Sequence, residues 1–319
     1  MIGTTLILGE NASKANKIDV LKEPWHLYKS VINSEIISLS YTYYDGYPIE
    51  QWQYREYLIQ IEGAIYNLDV ENIKERLNAI IDADFSRQGM LNFIESADGD
   101  FCVYFINKTN NRVVVFNDIL GGLPIFYSVE GNRVIISRQY GLILANLKEK
   151  NWDSQSLAEF LSFSHNLRRR TFSRNIYKVE PASYIDANYN GDISINYSNL
   201  YVEDFAVKDR YKSKNEAAAE LAKLFLESCK NRVNFAIRNG YKIVNTMSGG
   251  FDSRTVMGGV EKFVNQYVNI TYQYLQDESS IAKQVLEAVD SKSTYYKFDF
   301  KNEPNFLKLA NKNPAIFGK

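Results

Sequence analysis

Residues 101–106 read F-C-V-Y-F-I, and both alternating sets, Phe101/Val103/Phe105 and Cys102/Tyr104/Ile106, are largely apolar. Successive side chains of a strand point to opposite faces, so a strand apolar on both faces must be covered on both. That predicts a layered sandwich. From about residue 35 to 140 more strand-like runs surround this one: E-I-I-S-L-S-Y-T-Y-Y, L-I-Q-I-E-G-A-I-Y-N, R-V-V-V-F-N, P-I-F-Y-S-V and R-V-I-I-S, with the polar turn K-T-N-N after the two-faced strand. The 23 Tyr and 18 Phe against 6 Pro favour the same reading. Two helical stretches interrupt the strands. One places Val70, Ile73, Leu77, Ile80 and Ile81 on one side, and the other opens on Ser86 as a cap.

From about 150 to 205 the signal weakens to a short helix around S-L-A-E-F-L and a strand pair, I-Y-K-V-E-P-A-S-Y-I-D and D-I-S-I-N-Y, read as a bridge. Beyond residue 206 the apolar period changes from two to 3.6. A long helix over about 214–238 carries Ala218, Leu221, Ala222, Phe225 and Cys229 toward a core and ends near Gly240. The strand K-I-V-N-T, a helix from Arg254, the strand V-N-I-T-Y-Q-Y, a helix from about Glu278 and the strand Y-Y-K-F-D-F then alternate, which argues for parallel strands joined by crossovers. The expected division is 1–205 and 206–319, in keeping with a length of 319 residues.

The totals exclude several functions. A net charge of -1 offers no electrostatic case for nucleic acid or an anionic membrane. R-R-R at 168–170 is too short to argue otherwise and is expected on a solvated face. Two His, His26 and His165, leave little imidazole for metal or triad chemistry and are expected on the surface or the bridge. Cys102 and Cys229 lie in a strand and a helix, so neither a disulfide framework nor a zinc spacing exists. The expected location is the cytoplasm.

Residues 247–254 read M-S-G-G-F-D-S-R, between an apolar strand and a helix. Such a Gly-rich turn turns backbone N–H groups and the positive end of a helix toward an anion. Gly249 and Gly250 allow close approach, while Ser248 and Ser253 add hydroxyls. No G-K-[ST] follows, so the P-loop of kinases and GTPases is not indicated. S-G-G-F-D-S instead resembles the S-G-G-x-D-S loop of the PP-loop ATP pyrophosphatases. The first region narrows the resemblance: I-E-G-A-I-Y-N, D-G-D-F-C-V-Y-F and N-D-I-L-G-G-L-P-I-F-Y look like the glutaminase domain of the glutamine-hydrolysing asparagine synthetase family, through Gly63, Ile65, Tyr66, Asn67, Gly99, Phe101, Asp118, Gly121 or Gly122, Pro124 and Tyr127. T-F-S-R-N-I-Y-K-V-E-P-A-S resembles the bridge of that family.

The resemblance implies a fold of two parts: an N-terminal Ntn-type αββα sandwich, α+β in class, followed by an incomplete Rossmann-like α/β PP-loop domain with a parallel sheet. It implies ATP and Mg2+ as cofactors, with Ser248, Gly249, Gly250, Asp252, Ser253 and Thr271 as nucleotide-binding residues and Asp252 either ordering the loop or standing on the magnesium side. Thr271 and Tyr272 fall at a strand end, where a ligand or the core would claim them. Arg254 is read as either a phosphate contact or a solvated residue. Asp277 and Glu278 resemble an acidic pair of the family and equally suit a helix N-terminus. The implied reaction adenylates a carboxylate, releases AMP and pyrophosphate, and forms an amide with ammonia or another amine.

The departures from the family are as informative. Its nucleophilic N-terminal cysteine is Ile2 here, its oxyanion-hole asparagine is Glu62, and the arginine of its R-D pair is Asn117. A carboxylate repels a developing oxyanion, so no catalytic glutaminase residue is expected. A later S-G-x-G-x-D-E loop is not found before Lys319. The alternatives are a fragment of a longer synthetase, a chain completed by a partner or a second copy, and a non-catalytic or regulatory nucleotide-binding subunit.

Overall fold

The run F-C-V-Y-F-I forms the middle of a strand that packs one apolar set against helices and the other against a second sheet. The computed structural model describes residues 2–15, 26–201, 211–273 and 277–299. It divides into two compact units, Met1–Phe205 and Ala206–Lys319. The junction residues 202–210, the strand-end residues Tyr274 and Phe300, and residues 301–319 lie outside the described residues.

In chain order the first unit carries β1 (Gly3–Gly9), β2 (Leu27–Asn33), β3 (Ile37–Tyr43), β4 (Ile49–Tyr54), β5 (Tyr57–Ile65), α1 (Val70–Asp82), α2 (Arg87–Ser96), β6 (Gly99–Asn107) and β7 (Arg112–Asn117). It continues through β8 (Phe126–Val129), β9 (Arg133–Ser137), α3 (Tyr140–Asn146), α4 (Ser154–Phe163), β10 (Tyr177–Lys178), β11 (Ser183–Tyr189) and β12 (Ile193–Asn199). One sheet has the order β10-β8-β9-β1-β3-β2 and the other β12-β11-β7-β6-β5-β4.

Four layers result. Leu77 and Ile80 of α1 and Met90 and Phe93 of α2 pack on Phe101, Val103 and Phe105. The opposite face of β6, Cys102, Tyr104 and Ile106, meets Leu6, Leu8, Leu39 and Ile136 of the second sheet. Behind that sheet, Ile7 and Ile135 pack on Leu142 and Ile143 of α3. The order is therefore helix, sheet, sheet, helix. β1 is buried at every position, although its six-letter run T-T-L-I-L-G had no strand assigned to it from sequence.

Caps fix the helix starts. Asp69 accepts the Asn72 N–H at 2.9 Å, and the Ser86 hydroxyl accepts that of Gly89 at 3.2 Å. Ser86→Ala is expected to cost about 1 kcal/mol, the usual loss of a serine cap, read as a lower urea midpoint with an unchanged slope.

The second unit carries α5 (Lys214–Arg238), β13 (Val244–Thr246), α6 (Phe251–Glu261), β14 (Val268–Gln273), α7 (Ser279–Ala288) and β15 (Thr294–Asp299). Its three strands are parallel in the order β13-β14-β15. The core between α5, α6, α7 and the sheet is built from Val233, Met247, Met257, Val260, Tyr267, Ala282 and Leu286.

Four expectations change. The strand pair taken as a bridge belongs to the first unit's sheet: β11 pairs antiparallel with both β7 and β12. His26 is buried, not on the surface. Along α5 only Cys229 and Val233 are buried, and Leu221 is 69% exposed. With 25 residues, this helix is about 37 Å long at 1.5 Å per residue and overreaches strands of three to six residues. Finally, α6 begins at Phe251 rather than Arg254. Asp252 and Ser253 therefore lie in its first turn, where a carboxylate complements the positive helix end.

Candidate functional site

Each unit contains one of the two places singled out by sequence. In the first unit, β5 carries Glu62 opposite Cys102 of β6. The Glu62 side chain is fully buried. A buried carboxylate needs donors, and three converge on it: the Thr4 N–H at 2.9 Å, the Tyr47 hydroxyl at 2.5 Å and Arg138 Nε at 3.0 Å. Thr4 is two residues from Ile2, so the structure brings the two marked positions, Ile2 and Glu62, to the same end of β1. A Cβ added at Gly3 would lie 2.5 Å from Arg138 Cβ and 3.0 Å from Glu62 Oε1, which leaves no free space beside the carboxylate.

This cluster shifts its neighbours. Burial, followed by the Glu62 charge, raises the Tyr47 hydroxyl far above the ordinary tyrosine range, so it remains a donor. Burial likewise pushes the Cys102 thiol well up, with Glu62 acting in the same direction, and a thiol so held is a poor nucleophile. Burial is the largest influence on Arg138 and opposes its charge, but Glu62 together with Cys102, Tyr104 and Tyr47 more than offsets it, and the guanidinium is held above its usual range.

Asn117, where the resemblance would place arginine, donates to the Glu180 carbonyl at 3.0 Å and accepts the Ser183 N–H at 3.0 Å, tying β7 to the start of β11. Asp118 accepts the N–H groups of Phe101 at 3.2 Å and Leu120 at 2.9 Å. Both residues hold chain segments together. Tyr47 and Arg138 went unmarked in the sequence. The signal that points to them is Glu62 itself, since an acid in an apolar strand calls for a cation elsewhere.

In the second unit, the turn Ser248–Gly250 leaves the C-terminal end of β13 and enters α6. Ser248 N–H donates to Ser253 Oγ at 3.1 Å, the two serine hydroxyls are 3.0 Å apart, and Gly250 N–H donates to Ser248 Oγ at 3.1 Å. Arg254 donates to the Gly249 carbonyl and stacks over Phe251, so it braces the turn from behind. Gly250 is the N-cap of α6, and no side chain caps that end. The first-turn N–H groups therefore have no side-chain acceptor from the cap residue.

Ser248, Asp252, Ser253, Thr271, Tyr272 and Glu278 line a cleft of about 530 Å³. Of the sequence-marked residues, Gly249 and Gly250 form the turn at its edge. Thr271 is buried and its hydroxyl donates to the Met247 carbonyl at 2.8 Å, so it sets the strand end rather than offering a free hydroxyl. The unforeseen contact is Glu278, whose carboxylate accepts the Gly249 N–H at 2.9 Å. The turn thus already holds a carboxylate of its own chain.

These two arrangements are the setting for the comparison with known proteins. Residues 47–198 match the glutamine amidotransferase domain family. The amidotransferase match covers the sheet that carries Glu62, both helices packed on it and the β11–β12 pair. Among curated relatives, the chain is 22% identical over 227 residues to asparagine synthetase (glutamine-hydrolyzing) 1 of Bacillus subtilis, covering 68% of this chain and 34% of that protein. It is 24% identical over 279 residues to a putative asparagine synthetase (glutamine-hydrolyzing) 2 of Methanocaldococcus jannaschii, covering 82% and 51%. It is 25% identical over 177 residues to the amidase chry2 of Gibberella zeae, covering 55% and 25%.

The chain thus spans between a quarter and about half the length of these relatives. Glutamine phosphoribosylpyrophosphate amidotransferase from B. subtilis is a structural neighbour, with a TM-score of 0.38 and 9% identity, covering 93% of this chain and 81% of that one. Residues 47–198 are similar to a glutamine amidotransferase domain, and the chain has a distant likeness to asparagine synthetases. Among the described residues no helix is long and apolar enough to cross a membrane.

Proposed function

We propose that this chain acts in an asparagine-synthetase-like, ATP-dependent amide ligation in which the second unit binds the nucleotide and the amidotransferase domain releases no ammonia from glutamine. The observation that carries the first half is the turn at Ser248–Gly250. It follows a parallel strand, it opens a helix with no side-chain cap, and it borders a cleft of about 530 Å³. Those are the requirements for seating a polyphosphate. Two of the relatives are named asparagine synthetases, which supports taking the acceptor as a carboxylate and the product as an amide.

The residues present fit ATP. Ser248, Ser253 and the N–H groups of Gly249 and Gly250 would hold the terminal phosphates, with Tyr272 along the cleft wall and Thr271 keeping the strand end in place. Bound ATP would supply the adenylyl group that activates the carboxylate for attack by ammonia or another amine, with pyrophosphate as the leaving group. Among the described residues no group of three or more His, Cys, Asp or Glu is gathered to hold a metal. Mg2+ would therefore arrive with the nucleotide, held by Asp252 and phosphate oxygens. This chain's own contribution is to orient the polyphosphate and to donate hydrogen bonds to it.

The loss of glutaminase rests on Ile2, which has no nucleophilic atom, and on Glu62, which puts a buried negative charge where oxyanion donors would be needed. A second reading has its own support: Glu278 on the Gly249 N–H is what a non-catalytic or regulatory subunit, or a nucleotide site completed by further chain, would also present.

The test is calorimetric titration of Mg-ATP into the chain and into Asp252→Ala. The expected result is saturable binding that the variant weakens about tenfold when magnesium is present and does not weaken when it is absent, because the carboxylate acts through the ion. A folded chain that shows no saturable binding overturns the nucleotide-site reading.

A further inference from the structure

We infer that the first unit contains a second anion site: a cleft of about 630 Å³, lined by Arg168, Arg169, Arg170, Arg174 and Ser173 with the single carboxylate of Asp153, that takes a phosphate-bearing small molecule. The three consecutive arginines do not simply point into solvent. Arg170 is neutralised locally, 3.2 Å from Asp153 and 3.4 Å from Glu159. The other arginines have no carboxylate partner among the described residues. Arg169 donates to the Tyr127 hydroxyl at 2.9 Å and lies over the Tyr197 ring at 4.4 Å, which fixes its fork. Arg174 uses only Nε, toward the Trp152 carbonyl at 3.1 Å, and its terminal nitrogens are free. Arg168, whose backbone is held at φ 54°, makes no side-chain hydrogen bond among the described residues.

Three guanidinium groups without a carboxylate partner among the described residues repel each other around one cleft; Arg169 is tied to Tyr127 and Tyr197 and Arg174 to Trp152, whereas Arg168 has no side-chain hydrogen bond that calls for arginine. An anion with several oxygens offsets that repulsion and suits the planar forks. The second, independent observation is Ser173. It is 5% exposed, it lines the cleft, and its hydroxyl has no hydrogen-bond partner. A buried polar atom left unpaired is costly unless a ligand completes it. The volume lies in the range of small-molecule sites, larger than one phosphate requires, so the ligand class is an organic phosphate or a polyphosphate. A nucleic-acid backbone, by contrast, needs a basic track longer than one cleft.

Inorganic pyrophosphate is the probe, titrated by calorimetry into the full chain at constant ionic strength without magnesium. Because the turn at Ser248 is also read as a phosphate site, the parent protein for the test is Ser248→Ala/Ser253→Ala. The expected result is one saturable site in that parent, weakened about tenfold or more by adding Arg168→Gln and Arg174→Gln, as for loss of charge-assisted bonds. Ser173→Ala is the second variant. Relieving an unpaired hydroxyl should raise the melting temperature of the ligand-free protein by roughly 2–4 °C while lowering pyrophosphate affinity, two shifts that a purely structural serine would not give together. Absence of a site in the parent, retention of full affinity after the arginine changes, or unchanged affinity in Ser173→Ala overturns the inference. The parent lacks both hydroxyls of the Ser248–Gly250 turn and keeps its N–H groups, so binding that survives the arginine changes at full strength belongs to the turn: it overturns this inference and leaves the nucleotide reading standing.

Discussion

Arg138→Met is expected to destabilise the first unit by about 3–5 kcal/mol, the usual cost of orphaning one partner of a buried ion pair. Glu62 would keep the Thr4 N–H and the Tyr47 hydroxyl but lose the only guanidinium that faces it among the described residues. Two neutral hydrogen bonds do not offset a full charge in a site with no solvent access. The measurement is urea unfolding followed by tryptophan fluorescence, with the midpoint read at constant slope. Adding Glu62→Gln to Arg138→Met is expected to return most of the loss, because the amide oxygen can accept the Thr4 N–H while the amide NH2 donates to the Tyr47 oxygen, and no charge is left unpaired. A single variant within about 1 kcal/mol of the wild type, far below the orphaned-charge cost, would show that Glu62 is not left as an orphaned buried charge and would remove the electrostatic argument against an oxyanion in this domain.

What the sequence made legible follows from the range of the interaction that fixes it. The two-faced strand was readable because both sets of its side chains are apolar within six letters, and the K-T-N-N turn fixes the β6–β7 register locally. The αβ alternation of the second unit is equally local. Partners distant in sequence were not readable. β11 joins β7 across a separation that no short pattern encodes, so its strand pair looked like a bridge. Glu62 and Arg138 are 76 residues apart, and only the oddity of an acid in an apolar strand hinted at a cation. β1 escaped notice because a short run at the chain start carries no turn signals on both sides, yet it is buried throughout.

Apolar period also overstates burial. Leu221 of α5 repeats at helical spacing but lies exposed among the described residues. At the Ser248–Gly250 turn, the serines and glycines mark the turn by residue type, while α6 starts three residues before the expected Arg254 because Gly250 caps it without a side chain.

Glu278→Ala is expected to tighten binding of magnesium-free pyrophosphate at the Ser248–Gly250 turn by about 10- to 100-fold, the range for a competing hydrogen bond to a charged group. The acidic pair at the start of α7 divides its work. Asp277 accepts the Ser279 N–H at 3.0 Å and pairs with Lys297 at 2.7 Å. These contacts, Lys297 first, hold its carboxyl at about 2. Glu278 makes no side-chain cap bond to its own helix and reaches instead to the Gly249 N–H, a donor that a polyphosphate needs.

In the wild type the incoming anion must break that bond and accept a carboxylate at its side, and the alanine variant removes both costs. Glu278→Gln should fall between the two, since it keeps the acceptor and loses the charge. Because Asp277 still starts the helix, the melting temperature should change little in either variant. The comparison is made in the presence of Arg168→Gln and Arg174→Gln, so that the turn alone is titrated. Weaker binding in Glu278→Ala without magnesium would mean that the carboxylate organises the turn for its ligand rather than occupying its place. Tighter binding that reverses to weaker once magnesium is added would assign Glu278 to the metal side of the site beside Asp252, the arrangement in which one carboxylate guards the empty turn and then serves the filled one.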